Sequence, residues 1–186
     1  MKIQLKLFTL LVVGLTVFNS CSSESSDMSN ITDDDLLGVW ELVEFDYSGS
    51  SVTDFQGQDL TTTYDALGSN IDATMEITEN PNDLIFSGSY DINLTFSFAG
   101  QTQTQLYPVE DVESISSWTR SGDILTINGE LVTVEGTDLG EAESQDYTID
   151  ELTASTLVLT SEVTQTVENQ GLESTISIEV YMEFTR

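Results

Sequence analysis

From Leu84 to Phe98 the chain alternates almost without exception. The even positions are Leu84, Phe86, Gly88, Tyr90, Ile92, Leu94, Phe96 and Phe98, and the odd positions between them are mostly serine, threonine, asparagine and aspartate. A period of two puts all the apolar groups on one side of an extended strand and leaves the other side wet. Ile176, Ile178, Val180, Met182 and Phe184 repeat the pattern near the C-terminus, as do Ile71, Ala73, Met75 and Ile77. No helical period longer than a turn interrupts these runs after residue 31, so the pattern predicts an all-β, antiparallel domain. Turn residues divide it. Asn128-Gly129 between Ile124–Ile127 and Leu131–Val134 predicts a type I′ hairpin that would place Leu125, Ile127, Val132 and Val134 on one face. Ala99-Gly100, Ser121-Gly122-Asp123 and Asn169-Gln170-Gly171 predict further turns, Pro81 and Pro108 mark breaks, and Gly49–Gly68 and Gly136–Glu143 read as longer loops.

An alternating run of this length is about 50 Å long at ~3.3 Å per residue, well beyond an ordinary strand. It must bend, and Gly88 allows the bend. Long bent strands in a meander close most naturally into a single antiparallel up-and-down barrel, here of roughly eight to ten strands, which leaves no free edge. A two-sheet sandwich is the alternative, but no cysteine pair or Greek-key spacing points to it.

The start of the chain has a different character. Lys2 and Lys6, then the apolar run Leu7–Phe18, then small polar residues before Cys21, form the three regions of an export signal. Phe18-Asn19-Ser20-Cys21 resembles the lipobox of bacterial lipoproteins, which implies removal of residues 1–20 and lipidation of Cys21, the single cysteine of 186 residues. Residues 21–31 then form a lipidated cysteine and a flexible polar tether. The tether is similar to those of Bacteroidetes lipoproteins. The expected place is therefore the cell envelope, at the outer membrane through a lipid anchor, with the periplasmic and surface faces both open.

Charge narrows the function. Lys2 and Lys6 precede Cys21, so Arg120 and Arg186 are the only cations that follow it, against 33 acidic residues. Such a field repels phosphates and excludes nucleic acid as a partner. The absence of histidine, and of lysine beyond the signal, removes histidine triads, Schiff-base lysines and histidine-ligated metals. Carboxylate pairs are too abundant to be specific. No D-x-D-x-D-G loop occurs, and Asp33-Asp34-Asp35 behind Thr32 reads as the acidic first turn of a short helix. No enzyme, cofactor or metal site is expected.

Thr32-Asp33-Asp34-Asp35-Leu36-Leu37-Gly38-Val39-Trp40 resembles the opening of a lipocalin-like domain, a capped turn followed by Gly-x-Trp on the first strand. Val180–Arg186 is similar to the closing strand of such domains in Bacteroidetes lipoproteins, and Trp118–Ile127 to their mid-domain segment. The resemblance implies a lipocalin-like (calycin) barrel over residues 32–186. Gly38, Trp40 and Arg186 would then mark its closed end, the arginine covering the indole. It also implies an interior that binds a small hydrophobic or amphipathic ligand, with Met75, Phe86, Tyr90, Phe96, Phe98, Met182 and Phe184 as candidate lining and Tyr90 orienting the ligand. The alternative is a lipoprotein whose barrel is packed solid and whose surface binds a protein or glycan.

Overall fold

The computed structural model describes residues 32–129, 144–169 and 172–186. A single turn of 3-10 helix, Asp33–Asp35, leads into eight strands: β1 Gly38–Phe55, β2 Gln58–Ile77, β3 Asp83–Phe98, β4 Gln101–Ser121, β5 Ile124–Asn128, β6 Gln145–Leu152, β7 Thr156–Asn169 and β8 Leu172–Thr185. Each pairs antiparallel with the next, and β8 returns to β1 to close an up-and-down barrel. Closure satisfies the ladder bonds that an open sheet would leave bare at its two edges.

The strands differ greatly in length, and the difference shapes the molecule. β5 spans five residues and β6 eight, whereas β1 to β4 span 16 to 21. β4 pairs with β5 only from Ser117 to Ser121, and β6 pairs with β7 only from Leu157 to Thr160. The lower part of the molecule is therefore a closed ring. Above it, β4, β3, β2, β1, β8 and β7 continue upward as a tall six-stranded wall.

Where the ring gives way to the wall, the first four strands break register. Shifts occur between Glu41 and Asp46, Ser69 and Asp72, and Gly88 and Tyr90. Gly88 sits there at φ +133°, and a β-carbon on it would lie 2.2 Å from the Asp72 carbonyl oxygen and 2.5 Å from the Ala73 Cα. Only glycine allows both the positive φ and the close approach of β2, which is how the long β3 bends.

Three sequence expectations need correction. Gly49–Gly68 is not a loop. It forms the upper halves of β1 and β2, joined at Gln56-Gly57 with φ of 58° and 80°, a two-residue type I′ turn. Serine and threonine occupy inward positions such as Ser51 and Thr62 there, so the apolar alternation disappears although the strand persists. Pro108 does not end a strand either. It lies within β4 opposite Asp91, where β4 has no neighbour on its other side among the described residues, so the missing N–H breaks no ladder.

The third correction concerns Asn128-Gly129. Asn128 is the last residue of β5 and pairs with Ser117, and Leu125 lies between Arg120 of β4 and Tyr147 of β6. Both edges of β5 are thus occupied by β4 and β6, and no edge is left for the predicted pairing with Leu131–Val134. The turns at Ala99-Gly100 (φ 50° and 78°) and at Gly122 (φ 69°) form where the sequence placed them. The signal, Cys21, the tether, the segment Leu131–Val134, the loop Gly136–Glu143 and the turn residues Gln170-Gly171 lie outside the described residues.

Candidate ligand-binding interior

The floor of the barrel is built by the N-terminal turn and the C-terminal residue. The Asp35 carboxylate accepts hydrogen bonds from the Thr32 amide and hydroxyl, each 2.8 Å, which closes the turn and holds this carboxyl below the usual carboxylate range. Leu36 is thereby delivered, fully buried, to the underside of the core. Trp40 Nε1 donates to the Leu36 carbonyl at 2.8 Å, satisfying the one polar atom of a completely buried indole. Gly38, at φ +123°, makes the step from turn to strand that a side chain would strain.

Arg186 covers this corner. Its guanidinium lies 4.1 Å from the Trp40 ring centroid, inside the ~6 Å reach of a cation–π contact. It also donates to the carbonyls of Leu37 (2.8 Å), Ala154 (3.0 Å) and Asp35 (3.2 Å). Arg120 holds the other side of the same turn, Nε to Asp33 Oδ1 at 2.7 Å and a second nitrogen to the Gly122 carbonyl at 2.6 Å. Both arginines that follow the signal are therefore engaged at the closed end.

Above the floor the ring is solid. Met75, Phe86, Met182 and Phe184 are each 0% exposed, packed with Trp40, Trp118, Leu125, Ile127, Leu157 and Leu159. At that exposure no water-sized space touches them. These four side chains, expected to line a pocket, thus fill the lower core instead. Trp118 Nε1 donates to the Thr78 carbonyl at 2.9 Å, so the second indole is anchored like the first.

Tyr90 stands at the boundary. Its ring meets Phe45 at 5.8 Å and Phe86 at 6.3 Å, both edge-on, and burial pushes its hydroxyl pKa up to about 12. Higher up, Phe96 faces Tyr64 directly across β2 and β3, ring centroids 5.9 Å apart at 85°. Tyr107, opposite Ile92, and Val167 continue this wall, and all four are only half-buried. Phe98, next to the turn, is 47% exposed and belongs to the rim rather than the interior.

Tyr64, Tyr107 and Gln165 are inward residues that the sequence reading missed. Tyr64 lay in a supposed loop, and Tyr107 beside a supposed break at Pro108. The spacing Thr62, Tyr64, Ala66, Gly68 held the available signal, an alternation of inward groups too polar to read as apolar. Gln165 lies opposite Ile176 on β7, and its Nε2 is buried with no acceptor among the described residues.

Outward positions carry the charge. Asp46, Asp65, Glu162 and Glu179 line a groove of about 540 Å³ across the outer faces of β2, β1, β8 and β7, beside Leu67 and Tyr181. Tyr181 donates to Glu183 at 3.0 Å, and partial burial first, then this bond and the surrounding carboxylates, push its pKa up to about 12. Burial likewise raises the Asp46 pKa. Among the described residues no group of three or more acidic side chains is arranged to hold a metal ion.

No curated protein and no solved structure gives a significant match to the chain. A family model described as a lipocalin-like domain matches residues 36–159, more than half of the chain, from the floor of the barrel into β7. Proteins of this kind are generally binding proteins rather than enzymes. The closed eight-stranded barrel, its Gly-x-Trp floor and the family match agree, and the chain belongs to the lipocalin-like domain family.

Proposed function

We propose that the protein is an exported, lipid-anchored binding protein of the cell envelope, held at the outer membrane through Cys21, that takes a small hydrophobic or amphipathic ligand into the upper part of its barrel. One observation carries the ligand reading. The same strands that bury Trp40, Met75, Phe86 and Phe184 in the lower ring, and Ile92 and Leu94 just above it, leave Tyr64, Phe96, Tyr107 and Val167 half-buried. Inward aromatic groups that the fold does not cover are suited to covering a ligand instead. Catalysis forms no part of this reading, because the chain beyond Lys6 holds no histidine or lysine and its two arginines serve the floor.

The test is binding of a fluorescent apolar probe to the chain bearing Cys21→Ser, which keeps lipid and detergent out of the assay. Saturable binding at one site, weakened by Phe96→Trp through loss of space, is the expected result. Failure of any apolar probe to bind the folded protein would favour a surface that recognises a protein or glycan. The anchor is tested separately, since lipid chains would supply the membrane attachment. Cys21→Ala should move the protein from the detergent phase to the aqueous phase, and unchanged partitioning would overturn the lipoprotein reading.

A further inference from the structure

The upper wall sorts its charges completely. In the upper parts of β1, β2, β3, β7 and β8, every aspartate and glutamate takes an outward register position: Asp46, Asp54, Asp59, Asp65, Asp91, Glu162, Glu168, Glu173 and Glu179. Glu110 and Asp111 of β4 are exposed at its bulge. The inward positions of the same stretches hold aromatic and aliphatic groups, the hydroxyls of Ser51, Thr53 and Thr62, and the amides of Gln103, Gln105 and Gln165. Not one inward position there is charged.

The two available cations make this decisive. Beyond Lys6 the whole sequence contains only Arg120 and Arg186, and both are bound at the floor, on the far side of the solid core. A ligand carboxylate or phosphate entering the upper interior would lose its hydration and meet no countercharge, a large cost for an anion. It would also have to approach through a strongly negative outer field. A neutral oxygen faces neither penalty. It finds donors that water already reaches, the inward hydroxyl of Thr62 and the inward amide of Gln103.

Resting on the ligand reading above, we propose that the upper interior selects an uncharged amphipathic ligand, an apolar body carrying hydroxyl or carbonyl oxygens, and rejects fatty acids and other anionic lipids. The aromatic groups Tyr64, Phe96 and Tyr107 hold the apolar body. Thr62 and Gln103 donate to its oxygen.

A matched pair of probes tests this, a dansyl-labelled fatty alcohol and the dansyl-labelled fatty acid of the same chain length, titrated into the Cys21→Ser chain. At ~1 M salt the Debye length falls to about 3 Å, so the outer field is screened and the wall itself is read. The alcohol should bind at least about tenfold more tightly than the acid. Gln105→Lys, at an exposed inward position, should narrow that gap by supplying a cation. Acid binding as tight as alcohol binding would overturn the selectivity while leaving a ligand-binding barrel in place. A gap unchanged in a Gln105→Lys variant that still binds the alcohol would overturn its electrostatic cause. Binding of neither probe would overturn the ligand reading and the selectivity together.

Discussion

Below the belt of register shifts, the side chains that face the barrel axis are sealed in. Trp40, Met75, Phe86, Met182 and Phe184 are at 0% exposure, and both indole N–H groups reach backbone carbonyls. Above the belt the same strands carry Tyr64, Phe96 and Tyr107 half-buried, with cross-strand hydroxyl pairs such as Thr53 and Ser174 at 2.7 Å. The core itself continues above the belt through Tyr47, Ile92 and Leu94, and thins only toward the top of the long strands. Strand length underlies the gradient: β5 and β6 are too short to complete the ring at the upper level, so the long strands rise past them.

The sharpest way to break this division is to remove one large side chain from each half. Trp118→Ala removes a 2%-exposed indole and its hydrogen bond, and should cost about 3–5 kcal/mol, a large share of the ~5–15 kcal/mol total stability of a domain. Tyr64→Ala, in the upper wall, should cost about 1–2 kcal/mol, because its ring is already partly in water. Equal losses in urea unfolding would mean that the halves are energetically one.

Tyr90, at the boundary, offers a pH test of somewhat smaller size. Its folded pKa of about 12 lies above the ordinary value of 10, so the unfolded chain ionises first as pH rises. Its contribution is intact below pH 10 and is lost between about pH 10 and 12, on the order of 2 kcal/mol. Tyr90→Phe should flatten that alkaline limb while leaving stability near pH 7 little changed. The Tyr181 titration, also at about 12, remains in both proteins. An alkaline limb of unchanged steepness would place the Tyr90 hydroxyl in water rather than at the top of the core.

Arg186→Ala should have the smallest effect. It removes the cation–π contact and three hydrogen bonds to the floor, a loss of about 1–2 kcal/mol after solvent exposure is taken into account. Thermal unfolding should show a lower Tm. Binding of the neutral probe should not change, since the arginine lies beyond the solid core. A variant with normal stability and lost binding would reverse the assignment of floor and site.

How much of this was legible in the sequence differs from strand to strand, for a physical reason. β3 and β8 were readable along nearly their whole length, because Leu84–Phe98 and Ile176–Phe184 carry apolar groups at every second position. The upper parts of β1 and β2 were not, because their inward positions are Ser51, Thr53, Thr62 and Tyr64, which read as a loop. Candidate lining residues chosen by apolarity alone accordingly fell mostly in the core: Met75, Phe86, Met182 and Phe184 are buried there, and only Phe96 faces the upper interior among half-buried neighbours.

The sequence by itself determined the all-β class, the Ala99-Gly100 and Gly122 turns, the bend at Gly88 and the pairing of Arg186 with Trp40. Each follows from a local rule of period, φ or cap, or from a resemblance carried by a few residues. Only the tertiary structure decided that β5 lies between β4 and β6, which occupy both of its edges once the ring closes. It alone decided, too, which inward residues are core and which are wall. That depends on how far each strand extends beyond its neighbours, a relation between residues distant in sequence that no local pattern contains.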